Sequence, residues 1–459
     1  MASIWPKECD GGLALSSLGF NPKESPMFAL ASDITSKRTF SIFASTVVIG
    51  LVATSILVLG GASPANSAPV ACSTTVTGFE EDGDIANPYR IDNAADLIFL
   101  STMSDDDYNY GAYFVQTANI ELGNCEFKPI GYIEDDGSGD EEAFFGTYNG
   151  QGFTVSGLRI TQPPASTSKS IGLFGDVDEF DLSNLTVQGS ISLPASGNVR
   201  FVGGVIGEAG ETNISNVKSE VTVDSAAGTA IGGIAGYINY GSIDRSVYKG
   251  ALSTVSADGV GGLVGLADLV TVTSSYSIST FNTGVVGAGL FGQENCDPSY
   301  VPDVSNTYVV GSGTTYGIQK DNCGDFDSTF WNSSLSPNTA TATDPLDGAV
   351  AKTTTQLKAF ATYPASWNMV DGWDVFSASA PLKTWGICSS VNEGYPYLLW
   401  EYTTNPCVAQ SPPPQAPAAS TASTTLAATG AEVEWLALGS LIAVVAGAVF
   451  FALGRRKRA

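Results

Sequence analysis

The chain has 459 residues, with 20 Lys and Arg against 46 Asp and Glu, a formal net charge of −26 and no histidine. So negative a balance argues against nucleic acid and anionic lipid surfaces as partners. The missing histidine removes Ser-His-Asp and Cys-His machinery, HExxH metalloprotease sites and His-ligated zinc.

Residues 1–68 read as a signal region. Lys37-Arg38 precedes an apolar stretch from Phe40 to Leu59, and small residues lead to Ala65-Asn66-Ser67-Ala68. The pattern predicts export, with cleavage after Ala65 or Ala68. Because the apolar run is long for a signal, an uncleaved N-terminal helix is the other reading. A start at Met27 would give a more ordinary signal and leave residues 1–26 untranslated. Pro69-Val70-Ala71 before Cys72 makes a poor lipobox, so lipidation is not expected.

Residues 69–160 form an N-terminal lead-in region. It contains the phrases Tyr89–Leu97, Asn119–Leu122 and Phe145–Leu158. The acidic loop from Glu134 to Glu142 packs six carboxylates around two glycines, Gly137 and Gly139. No cofactor is expected. Calcium suits flexible multi-oxygen loops, and Asp135, Asp136 and Asp140 are the candidates there, although the spacing is not that of an EF-hand and such loops are usually solvated. The groups Asp105–Asp107 and Asp321, Asp325 and Asp327 are weaker.

Cys9 precedes the signal, leaving an even set of six exported cysteines in an oxidising compartment. Six cysteines allow fifteen pairings. Sequence neighbours suggest Cys72–Cys125, Cys296–Cys323 and Cys388–Cys407.

Residues 161–317 are an internal repeat. Glycine blocks recur at Ile171–Gly175, Val202–Gly207, Ile231–Gly236, Val260–Gly265 and Ala288–Gly292. Their last glycines, Gly175, Gly207, Gly236, Gly265 and Gly292, step by 32, 29, 29 and 27 residues. Each block is followed by a turn and further short apolar phrases. A period near 29 with three short strands predicts one coil of a β-solenoid, because a single unit cannot bury its apolar face alone and stacked units can. Alternation puts Val, Ile and Leu inward and Ser, Thr and Asp outward. Asn184, Asn216 and Asn306 fall at matching offsets and predict a corner ladder of stacked amides.

These blocks resemble the GLUG motif of large bacterial surface proteins, with Ile171-Gly-Leu-Phe-Gly175 and Val260-Gly-Gly-Leu-Val-Gly265 carrying the likeness. Tyr89–Leu97, leading into a short helix through Met103, and Asn119–Leu122 and Phe145–Leu158 as first strands upstream, with Phe330-Trp331 and Glu393–Leu398 downstream, resemble the same family's flanks. The resemblance spans about residues 86–400. It implies an all-β fold, a right-handed parallel β-helix, with adhesion or surface display as the usual role.

Residues 318–407 concentrate aromatics: Trp331, Trp367, Trp373, Trp385, Tyr395, Tyr397 and Trp400. They predict a Trp-rich C-terminal cap over the apolar open end, with stacking on sugar rings as the alternative. Residues 408–425 are a Pro/Ala/Ser/Thr linker. The last segment, 426–459, opens with Leu426-Ala427-Ala428-Thr429-Gly430, continues into an apolar run at 435–453 of about one hydrocarbon thickness, and ends Arg455-Arg456-Lys457-Arg458. That order resembles the LAxTG-type cell-wall sorting signal of actinobacteria. It implies a sortase that cleaves between Thr429 and Gly430 and links Thr429 to peptidoglycan. A plain C-terminal membrane anchor is the second reading.

Charged residues that could serve a β-helix enzyme are Lys218, Asp244, Arg245 and Lys249, but they do not recur as a carboxylate cluster. The expectation is therefore a secreted, wall-anchored, non-catalytic β-solenoid that binds an unknown glycan or protein ligand. A carbohydrate-active β-helix enzyme and a self-associating wall component are the alternatives.

Overall fold

The computed structural model describes residues 70–407, except 104–110, 132–142, 164–169, 196–197, 256, 283–285, 297–301, 315, 322, 337–347 and 373–382. The signal region, the linker, the sorting pentapeptide Leu426–Gly430, the apolar run 435–453, both acidic loops with Asp135, Asp136 and Asp140, and Trp373 therefore lie outside the described residues. No described helix is long and apolar enough to cross a membrane.

The chain winds into a parallel β-solenoid of about seven turns. Lateral neighbours are one repeat apart. Phe174 faces Ile206, Ile206 faces Ala235, Ala235 faces Val264, and Val264 faces Phe291. A central coil has three sides. Ala230–Gly232 lies in a row of five short strands, and Ala235–Asp244 and Val247–Thr254 lie in the main sheet. The inward residues Ile206, Ala235, Val264 and Phe291, and the row Ile214, Ile243 and Val272, are fully buried, which is what the alternation predicts. The lead-in region supplies the first strands and a helix at Ala94–Leu100, where the Asn93 side chain accepts from the Ala95 amide at 2.8 Å.

The repeat glycines serve close packing of neighbouring backbones. A Cβ on Gly207, Gly236, Gly265 or Gly292 would sit 2.2–2.5 Å from the amide nitrogen of Ile171, Val202, Ile231 or Val260 on the preceding coil. Gly175 is looser, its nearest approach being 3.2 Å to the Gly131 carbonyl. None of these five has a positive φ. The left-handed corner instead recurs at Asn184, Asn216, Arg245, Ser274 and Asn306, with φ of 45–55°. Asn tolerates this conformation best among these residues because its short amide bonds locally.

Cys72–Cys125, Cys296–Cys323 and Cys388–Cys407 are disulfide-bonded, the pairing of sequence neighbours. The first lies in the lead-in region, the second ties successive coils, and the third lies within the C-terminal segment.

The C-terminal segment builds a second core on the outside of the solenoid. Val247, Tyr276, Tyr308 and Phe330 are in register on four successive coils and share one cluster with Leu357, Trp367, Trp385, Tyr395 and Leu398. Tyr276 and Tyr308 stack at 4.9 Å, Phe330 stacks on Trp367 at 5.6 Å, and Trp367 meets Trp385 at 4.8 Å. The aromatics that the sequence placed over the open end thus cover a flank. Trp331 is different, being part of the solenoid core.

Candidate functional site

The end of the C-terminal segment runs along this flank and meets the charged residues singled out from sequence. Leu399–Glu401 is a short 3-10 turn. The Glu401 side chain is 1% exposed and lies 3.4 Å from Lys249 Nζ and 3.6 Å from Lys218 Nζ. It also accepts hydrogen bonds from Tyr276 Oη at 2.8 Å and the Leu398 amide at 3.0 Å. Lys218 pairs with Glu220 at 2.7 Å, and Gln188 donates to the other Glu220 oxygen at 2.6 Å. Burial works to raise the Glu220 carboxyl, but the hydrogen bonds from Lys218 and Gln188 carry it below the usual carboxylate range. Burial pulls the Lys249 ammonium down, and Glu401 opposes that shift. Arg245 and Asp244 pair with each other at 2.8 Å, and Asp244 also accepts from Thr273 Oγ1 at 2.6 Å. Lys218 and Lys249 are therefore turned to a buried carboxylate of the chain itself. Sequence reasoning missed Glu401, which lies 152 residues beyond Lys249.

The asparagine ladder is present in part. Asn216 Nδ2 donates to Asn184 Oδ1 at 2.9 Å, and Asn184 Nδ2 donates to Asn149 Oδ1 at 3.1 Å. Asn149, which the sequence did not single out, thus ends the run. Asn306 occupies the same corner but is cut off from it by Arg245 and Ser274, and its Oδ1 is buried without a partner.

Trp400 closes one side of this ladder. Its Nε1 donates to the Arg245 carbonyl at 2.7 Å. Trp400, with Asn149, Gln151, Gly152 and Asn184, lines an open pocket of about 320 Å³. Of the aromatics singled out from sequence, Trp331, Trp367, Trp385, Tyr395 and Tyr397 are buried, and Trp400 is half-buried.

Among the described residues no three Asp, Glu, His or Cys side chains come together as a metal-binding group. Asp321 accepts from the Glu294 amide at 2.9 Å, while Asp325 and Asp327 are exposed on a separate strand. Glu294 itself is buried, and this pushes its carboxyl up to about 8.

No protein-family model matches the chain. Halomucin from Haloquadratum walsbyi is 31% identical over 170 residues, covering 35% of this chain. The match spans only 2% of the length of Halomucin. Two solved structures share part of the course of the chain. A crystal structure of a candidate immunoglobulin A1 protease from Bacteroides ovatus gives a TM-score of 0.46 at 18% identity, over 70% of this chain and 95% of that one. An IgA1 protease gives 0.39 at 13% identity, over 70% of this chain and 25% of that one.

Proposed function

We propose that this chain is a secreted surface protein, linked to peptidoglycan through Thr429 by a sortase, whose β-solenoid binds a ligand without chemical turnover. The observation that carries the non-catalytic part is the pairing of Lys218 and Lys249 with Glu401, whose side chain is 1% exposed. A polysaccharide-cleaving site would need its cations and carboxylates open to substrate. Display of a rigid repetitive face on a flexible tether suits adhesion, and the 408–425 linker would be that tether. The three disulfides fit an oxidising exterior, and the local similarity to Halomucin supports a surface placement. The GLUG-like glycine blocks and the LAxTG-type tail support the same reading.

The test exposes the purified protein, with calcium present, to plant, host and bacterial polysaccharides and measures both retention and release of reducing or unsaturated ends. The expected result is retention without release. Released sugar would overturn the non-catalytic reading in favour of the carbohydrate-active alternative, and concentration-dependent self-association without retention would favour a structural wall component.

A further inference from the structure

We infer that the pocket between Trp400 and the asparagine ladder binds a neutral saccharide. This rests on the binding reading above and names its ligand class and its residues.

The pocket combines the two features that a sugar ring requires. A pyranose has an apolar C–H face and a rim of hydroxyls that both donate and accept. An indole face suits the first. Side-chain amides, each with an acceptor oxygen and two N–H donors, suit the second. Here Trp400 supplies the ring, and Asn149, Gln151 and Asn184 supply amides. At about 320 Å³ the space lies at the small end of known ligand clefts, enough for a sugar ring and little more.

Trp400, Asn149 and Asn184 are held in place before any ligand arrives. The Trp400 ring is pinned by its hydrogen bond to the Arg245 carbonyl and packs against the outer aromatic core. Asn184 is fixed from both sides by Asn149 and Asn216, and Asn149 Oδ1 also accepts from the Gln151 backbone amide at 2.9 Å. Fixed groups lose little entropy on binding. Hydrogen-bonding capacity is left over as well. Neither Asn149 Nδ2 nor the Gln151 side-chain amide bonds any described residue. Both residues line the open pocket, where these amides can take up hydroxyls.

Charge selects the class of sugar. No ionisable side chain lines the pocket, so nothing there would compensate a uronate or sulfate. The net charge of −26 repels acidic polymers at longer range. A neutral hexose or pentose unit fits, and an acidic one does not.

The experiment uses the full chain and its Trp400→Ala, Trp400→Phe and Gln151→Ala variants. Neutral glucan, mannan, galactan and xylan oligosaccharides and polygalacturonate are the probes, with affinity read by calorimetry and ring contacts by saturation-transfer NMR. The wild type is expected to bind at least one neutral probe and to ignore polygalacturonate. Trp400→Ala should weaken that binding about tenfold, since a lost ring contact removes roughly one decade of affinity. Trp400→Phe should retain most of it. Gln151→Ala, at an exposed residue outside the core, should weaken it by a few fold and leave the fold intact, which guards against misreading a misfolded Trp400→Ala. A neutral probe bound equally by wild type, Trp400→Ala and Gln151→Ala would overturn the pocket while leaving the binding reading in place. Failure to bind any neutral probe, or preference for polygalacturonate, would also overturn it. Release of products from a bound probe would instead contradict the non-catalytic reading itself.

Discussion

Replacing Glu401 by Gln should loosen the C-terminal segment from the solenoid. The carboxylate is buried, faces two ammonium groups at 3.4 and 3.6 Å, and accepts two hydrogen bonds. Gln keeps an acceptor for Tyr276 and Leu398 but removes the charge. Lys218 still has Glu220 at 2.7 Å, so the uncompensated cation is Lys249. Breaking a buried ion pair from one side costs about 3–5 kcal/mol. Because Lys249 retains 22% exposure and can shed its proton, the lower end of that range applies, about 3 kcal/mol. Denaturant unfolding with disulfides intact, followed by tryptophan fluorescence, reads this directly, since Trp367 and Trp385 belong to the affected cluster. The double replacement Glu401→Gln with Lys249→Met should recover part of the loss, because it leaves no unpaired buried charge. A cost below about 0.5 kcal/mol, the level of an exposed pair, would refute the claim that this contact docks the segment.

Other perturbations probe the packing and the tail. A Cβ on Gly232 would sit 1.9 Å from the Ala235 carbonyl oxygen, so Gly232→Ala should destabilise by about 3 kcal/mol or more in the same assay. At Gly152, whose φ is +82° with nothing within 4 Å, the same change should cost only about 1 kcal/mol. Glu294, with its folded pKa raised by burial to about 8 from 4.5, holds a proton that the unfolded chain releases earlier. Its contribution is therefore most favourable below about pH 4.5 and is lost as pH rises towards 8, at up to about 1.4 kcal/mol per pH unit. Glu294→Gln should remove that slope from the stability–pH curve, and an unchanged slope would assign it elsewhere. Thr429→Ala should move the protein from the wall fraction to the membrane or medium, as read by fractionation and mass spectrometry of wall digests.

The solenoid was legible because its cause is local and repeated. Val202-Gly-Gly-Val-Ile-Gly207 and Ile231-Gly-Gly-Ile-Ala-Gly236 carry both the inward residues and the glycines that let coils approach, and their 29-residue step is the observed register. The outer core was harder to see. Val247, Tyr276, Tyr308 and Phe330 sit beside inward residues, and the pairs Val247-Tyr248 and Phe330-Trp331 break the alternation expected of a strand with one wet face. Consecutive buried apolar residues signal burial on both faces, and that signal was available. The partner was not, because Glu401 meets Lys218 and Lys249 only once the chain has folded back along the flank. The ladder was half legible for a similar reason. Asn offsets mark the corner, but Arg245 and Ser274 interrupt the amide run, and at Asn149 the left-handed residue is Gln151, two positions on, rather than the Asn itself.

Surface display and binding meet in one measurement. Cells carrying the full chain, the Thr429→Ala chain or no chain would be washed over an immobilised polysaccharide that retains the purified protein, with adherent cells counted and soluble sugar assayed together. The account predicts firm attachment only for cells with the full chain and no sugar released over time. Equal attachment by all three strains, or steady release of sugar by those with the full chain, would contradict it.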